Sequence, residues 1–270
     1  MSKIRIDDLT VEFSAGKGEP GKQAVGDLHI EIAEQEFLCL LGPSGCGKST
    51  VLNALAGFIL PTAGRVTVDG EEIEAPGPDR GVVFQDANVF PWMTVEENVA
   101  AGPRFRGQRI DRAVKERVRE LIARVGLTGY EKHLPRELSG GMRQRVGLAR
   151  TLMNDPGTLL MDEPFGALDA QTRIIMQELL LELWERDKKT VLFITHDLDE
   201  ALLLGDRILV MTAAPGRVKH ECRVPFPRPR GYALTATQEF QALRRDLFDI
   251  LHVEAARADF GQSGGERGRA

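Results

Sequence analysis

Gly42-Pro43-Ser44-Gly45-Cys46-Gly47-Lys48-Ser49-Thr50 follows the apolar run Phe37-Leu38-Cys39-Leu40-Leu41 and precedes Val51-Leu52-Asn53-Ala54-Leu55-Ala56. The spacing of Gly42, Gly47, Lys48 and Ser49 is that of a phosphate-cradling loop set between a buried strand and a helix. Glycines there let backbone N–H groups turn inward on a polyanion, and the helix beginning near Ser49 directs its partial positive end at the same point. Lys48 is placed to reach the β- and γ-phosphates, and the Ser49 hydroxyl to ligate Mg²⁺. The chain is expected to bind a nucleoside triphosphate. The same converging amides, with Lys48, predict a lowered thiol pKa for Cys46.

Two other groups of residues carry chemistry. Leu159-Leu160-Met161 reads as a buried strand that ends in Asp162-Glu163. A carboxylate pair at the carboxyl end of a parallel strand is where a hydrolase holds Mg²⁺ and polarises water, so Asp162 is assigned to the metal and Glu163 to the attacking water. In Leu138-Ser139-Gly140-Gly141-Met142-Arg143-Gln144-Arg145, a second Gly-rich helix start has Ser139 at its N-cap. It makes a second anion site, which the chain does not need for its own nucleotide.

The elements that must position these groups can be read in order. Apolar residues at Ile4, Ile6, Leu9, Val11 and Phe13 predict a strand at the edge of a β-layer, followed by a loop from Gly16 to Gly21 and a second alternating strand through Val25, Leu28, Ile30 and Ile32. Asp69-Gly70 between Arg65-Val66-Thr67-Val68 and Glu71-Glu72-Ile73 predicts a hairpin. Gly81-Val82-Val83-Phe84 is a short buried strand with Gln85 at its carboxyl end, and residues 86–156 read as a helical insertion. Beyond Met161 come a helix capped at Asp169, a buried strand at 190–195, a helix with Asp197 and Glu200 at capping-box spacing, and a strand at 207–211. Strands alternating with helices predict an α/β protein: a parallel sheet covered on both faces, with a small antiparallel layer beside it. The expected organisation is a cassette over 1–212, an extension over 213–260 with a Pro/Arg-rich segment and one amphipathic helix, and a disordered tail over 261–270.

With 270 residues, 42% hydrophobic and 28% charged, the chain has ordinary globular composition, and its formal net charge of -5 argues against coating nucleic acid. Cys39, Cys46 and Cys222 are an odd count without metal-ligand spacing, as expected of free thiols in a reducing compartment. The N-terminus lacks the apolar core of a signal peptide, and no apolar run reaches the length of a membrane span, so any membrane role is expected to be peripheral.

In company with the phosphate loop, the Ser139-Gly140-Gly141 stretch resembles the signature sequence of ABC-transporter ATPases, and the resemblance covers residues 3–211 with every family motif in order. It implies the P-loop NTPase (RecA-like) fold, with Phe13 stacking on adenine, Gln85 as the Q-loop glutamine that joins the metal and catalytic groups, Asp169 in the D-loop, and His196 contacting the γ-phosphate. Phe13 stands where many relatives have Tyr, and Met142 where they have Gln. The resemblance further implies ATP hydrolysis in a head-to-tail dimer, each ATP lying between the phosphate loop of one copy and Ser139 and Gly141 of the other. The segment from Gln85 through Asn88, Phe90, Pro91, Trp92 and Met93 would receive a short helix from an integral membrane permease, at the cytoplasmic face of the cell inner membrane. The stretches Gly77 to Gln85, Ser139 to Arg145 and Glu163 to Asp169, with the Arg-Pro alternation from Pro227 to Arg230, are together similar to importers of nitrate, taurine and other sulfonates, which draw solute from a periplasmic or lipid-anchored binding protein. One cassette, a short helical insertion and no basic excess argue against the nucleic-acid or ribosome-directed branch, and a small-molecule kinase would leave Ser139-Gly140-Gly141 unexplained.

Overall fold

Inward alternation along β1 (Ser2–Phe13) and β2 (Lys22–Ala33) puts Ile4 opposite Ile32, Ile6 opposite Ile30, Leu9 opposite Leu28 and Val11 opposite Val25, all eight buried. The computed structural model describes residues 2–14 and 21–266. The loop expected from Gly16 lies outside the described residues up to Gly21. The chain divides into two compact units, residues 1–76 with 190–270, and residues 77–189.

In the first unit, β3 (Phe37–Leu41) is buried throughout and leads to α1 (Lys48–Ala56). After it come β4 (Ala63–Val68) and β5 (Glu71–Glu72), joined by Asp69 and Gly70 at φ 53° and 83°, the left-handed pair that a tight hairpin requires. The antiparallel layer has the order β2-β1-β4-β5. β1 is therefore an interior strand, not the edge strand expected from its sequence. Its second partner, β4, lies some sixty residues on (Ile4 opposite Val68, Ile6 opposite Val66), and local alternation carries no information about so distant a pairing.

The second unit begins with β6 (Arg80–Val83) and continues through α2 (Val95–Val99), α3 (Ala101–Phe105), α4 (Arg112–Arg124) and α5 (Gly140–Leu152) to β7 (Thr158–Asp162), which pairs in parallel with β6. α6 (Ala170–Asp187) closes it. Asp111, Ser139 and Asp169 each cap the helix that the sequence assigned to them, their side chains accepting from the amides of Val114, Met142 and Thr172.

The chain then returns to the first unit with β8 (Thr190–Ile194), α7 (Leu198–Leu204), β9 (Arg207–Met211), β10 (Val218–Arg223) and α8 (Gln238–Glu266). β8 and β9 flank β3 in parallel, and β10 adds antiparallel to β9. β10 is largely exposed and polar, so its sequence lacked the apolar signal by which the buried strands were found. α8 continues through Glu266, into the stretch expected to be disordered; a helix already nucleated adds one bond for each further residue it orders, which carries it past Gly261. Residues 267–270 lie outside the described residues.

The Pro/Arg-rich segment is a clamp. Arg230, 8% exposed, donates to the carbonyls of Leu202, Leu203 and Gly205 at 3.3, 3.3 and 2.5 Å, and Arg228 pairs with Asp206 at 2.8 Å. A fixed cation thus satisfies carbonyls that α7 leaves open at its C-terminus. Arg230→Ala should lower unfolding stability by about 3 kcal/mol, since it strips a buried donor from several carbonyls at once. A denaturant midpoint unchanged from wild type would refute the clamp.

Candidate functional site

β3 delivers the phosphate loop from the core. Gly47 has φ 102° and its missing Cβ would lie 2.7 Å from the Ala24 carbonyl, so no other residue fits without moving strand β2. α1 starts there with no side-chain cap, leaving its first amides to a ligand. Lys48, 6% exposed, donates to the carbonyls of Gly42 at 2.8 Å and Pro43 at 3.0 Å. The ammonium is thereby held over the loop where an anion can claim it. Ser44, Gly45 and Ser49 are exposed along the mouth and Thr50 is half-buried.

Cys46 corrects an expectation. It is 1% exposed, and burial pushes its thiol above the ordinary value, outweighing Lys48, whose ammonium lies 4.0 Å from Sγ. The converging positive groups are visible in the sequence, whereas the desolvation of the buried thiolate that outweighs them is not. Cys46 is a filler in the phosphate loop. Burial raises Cys39 as well.

His196 is exposed at the carboxyl end of β8. The residues on either side of it are held: the Thr195 hydroxyl donates to buried Glu200 at 2.5 Å and accepts from the Asp197 amide at 3.0 Å, and Asp197 accepts from the amides of Asp199 and Glu200. The bond from Thr195 to Glu200 was missed in the sequence, although a Thr before the His and a Glu in the first turn of α7 were its visible signal. Phe13, 46% exposed, ends β1 opposite Lys22 with its ring available for stacking.

In the second unit, Asp162 ends β7 and Glu163 follows it, both half-buried. Glu163 has φ 44°, a left-handed conformation unfavourable for a residue with a Cβ, and Gly166 N–H donates to its carbonyl at 3.0 Å. A Cβ placed on Gly166 would be 3.2 Å from Gln85 Nε2 and 3.6 Å from Glu163 Oε2, so the structure brings this amide and this carboxylate to one spot. Ser139 and Gly140 are exposed at the start of α5, where Ser139 Oγ accepts from Met142 N–H at 3.3 Å. Gln144, further along α5, donates to the Phe84 carbonyl at 2.9 Å and so ties this helix to the segment that carries Gln85. The side chain and amide of Thr172 hold Asp169 below the usual carboxylate range, keeping it ionised at the start of α6.

Residues 90–94 of the same unit form a braced loop. Asn98, fully buried, accepts from the Phe90 amide at 2.7 Å and donates to the carbonyls of Phe90, Met93 and Thr94. Phe90 packs edge-on against Phe105 and lies under Arg150, leaving Trp92 71% exposed. The sequence singled out Trp92 and not Asn98, the residue that holds it up.

A Gly-rich loop with a buried Lys between a buried parallel strand and an uncapped helix has the build of a nucleotide-binding α/β protein. The ABC transporter family profile matches residues 25–166. The chain is 46% identical over 254 residues to the taurine import ATP-binding protein TauB of Rhizobium johnstonii, covering 92% of this chain and 96% of that one. It is 42% identical over 246 residues to the aliphatic sulfonates import ATP-binding protein SsuB of Bacillus cereus, covering 90% and 94%. Among solved structures, the dimeric post-hydrolysis state of the ATP-binding cassette MJ0796 bound to ADP and Pi matches with TM-score 0.72 at 33% identity, covering 83% of this chain and all of that one. The chain belongs to the ABC transporter family.

Proposed function

We propose that this chain is the ATP-hydrolysing subunit of an importer for taurine, another sulfonate or a similarly small solute such as nitrate. It would work as a head-to-tail dimer on the cytoplasmic side of a membrane permease fed by a solute-binding protein. The observation that supports the reading is that the chain has two Gly-rich helix starts, α1 at Lys48 and α5 behind Ser139, one in each unit, and each would serve as an anion cradle. One ATP needs one such cradle, and a dimer shares two ATPs among four. In each composite site Lys48 and the loop amides would bind the phosphates of one ATP, and Phe13 would stack on its adenine. Ser139 and Gly141 of the second copy would close over the γ-phosphate, so that ATP joins the copies and hydrolysis frees them.

The donors fit Mg²⁺: the Ser49 hydroxyl, the Asp162 carboxylate and the Gln85 amide are hard oxygen ligands, and no group of three His, Cys, Asp or Glu residues forms a complete metal cage among the described residues. A hard cation that keeps water and phosphate oxygens in its shell suits so sparse a set, and when bound it would neutralise charge on the β- and γ-phosphates. Glu163 would orient and deprotonate the attacking water, with His196 and Gln85 contacting the γ-phosphate side.

Among the described residues no helix is long and apolar enough to cross a membrane, and the braced loop carrying Trp92 is an apolar knob of the kind a permease helix could seat. Trp92→Ala should release the chain from the permease in detergent, weakening co-purification at least about tenfold as a lost aromatic anchor does. ATP hydrolysis by the isolated chain should stay at the wild-type rate. Retained permease with uncoupled or normal transport would count against the docking role. In proteoliposomes, stimulation of hydrolysis by taurine-loaded or sulfonate-loaded binding protein tests the solute class.

A further inference from the structure

The back of the phosphate loop rests on a turn that comes from the far end of the chain. Thr212 N–H donates to the Arg217 carbonyl at 2.9 Å, and Thr212 Oγ1 donates to the Pro215 carbonyl and accepts from the Arg217 amide. The closed 212–217 turn lies along β2, with Gly216 N–H donating to the Ala24 carbonyl at 2.9 Å and Gly26 N–H to the Gly216 carbonyl at 3.2 Å. A Cβ on Gly216 would sit 2.2 Å from the Cys46 carbonyl and 2.4 Å from Met211 Cε. The turn therefore abuts the backbone of Cys46, while Ala24 abuts Gly47. Two consecutive residues of the phosphate loop have their height set from behind.

α8 grips this turn. Glu254 is 1% exposed, and its Oε2 accepts from the Ala213 amide at 3.3 Å while Oε1 pairs with Arg257 at 2.8 Å and lies 3.9 Å from Lys219. Burying a carboxylate is costly unless it is paired, so its place on an otherwise apolar face with Phe240 and Leu247 calls for a role that a Leu would not fill. We infer that the C-terminal extension positions the phosphate loop: Glu254 of α8 holds the 212–217 turn by the Ala213 amide, and the turn presses through Gly216 on the Cys46 carbonyl. Nucleotide affinity is thereby set in part by a helix outside the nucleotide site, and Glu254 and Gly216 are positioning residues that touch no ATP.

The test is a set of full-length variants read by Mg²⁺-ATP Kd, by KM against kcat, and by thermal midpoint. Glu254→Ala should raise Kd and KM about tenfold, one RT ln 10 step, with kcat at saturating ATP within about twofold of wild type. Glu254→Gln keeps an acceptor oxygen for the Ala213 amide and should restore affinity to within about twofold of wild type. Arg257→Ala removes only an exposed partner and should leave Kd unchanged. Gly216→Ala should weaken binding at least as much as Glu254→Ala; if it does not fold, the Glu254 pair decides alone. A lowered thermal midpoint with wild-type Kd in Glu254→Ala would overturn the inference, since a merely structural helix predicts that result. A Gln variant as weak as the Ala variant would overturn the route through the Ala213 amide. The inference rests on ATP binding at this loop, and a wild-type chain that bound no ATP would overturn that reading and this one together.

Discussion

Glu163→Gln should bind ATP as tightly as wild type and hydrolyse it on the order of 10²–10⁴-fold more slowly, the usual contribution of a positioned general base. Gln is nearly isosteric, so the left-handed backbone at position 163 and the Gly166 N–H bond to its carbonyl have no reason to change. What would disappear, on the role proposed for Glu163, is the ability to take a proton from water beside the Gln85 amide. Because ATP would then persist between the copies, the variant should elute as a dimer with ATP and Mg²⁺ and as a monomer without them. Wild type, which clears its ATP, should be largely monomeric in both conditions. Wild-type turnover by the variant would remove Glu163 from the chemistry, and a monomeric variant at high ATP would remove the shared site.

How far the sequence reached depended on the range of the interaction. Elements set by local spacing were legible: the phosphate loop from its glycines and Lys48, the helix starts at Asp111, Ser139 and Asp169 from their caps, and the hairpin from Asp69-Gly70. What stayed hidden needed two distant segments at once. The interior place of β1 depends on β4, and the basic look of the 227–230 segment on α7, whose carbonyls convert Arg230 into a clamp. Cys46 shows the same limit in electrostatics: the charges near it could be counted from the sequence, while the burial that outweighs them could not.

Ser139→Arg should abolish hydrolysis and leave ATP binding by the isolated chain at its wild-type affinity. Ser139 is exposed at the first turn of α5 and caps it through Met142 N–H. Losing that cap alone costs about 1 kcal/mol, which Ser139→Ala measures separately. The Arg adds what Ala does not, a long and bulky side chain where a second copy would present its γ-phosphate, and the steric conflict there would block closure of the dimer. A second variant shows where the damage falls. Lys48→Ala removes the ammonium held over Gly42 and Pro43, so its own loop is defective while its Ser139 is intact. In a mixed dimer one composite site pairs an intact loop with an intact Ser139 and the other pairs two defects. Random pairing of equal amounts makes half the dimers mixed, so independent sites should return about a quarter of the wild-type rate from two inactive proteins, by the symmetry of a two-fold dimer. Sites that must fire together should return nothing beyond background, and the Ser139→Arg chain should still bind ATP. Equal loss of ATP affinity in the Ser139→Arg monomer would place Ser139 in its own chain's site and end the case for action across the dimer.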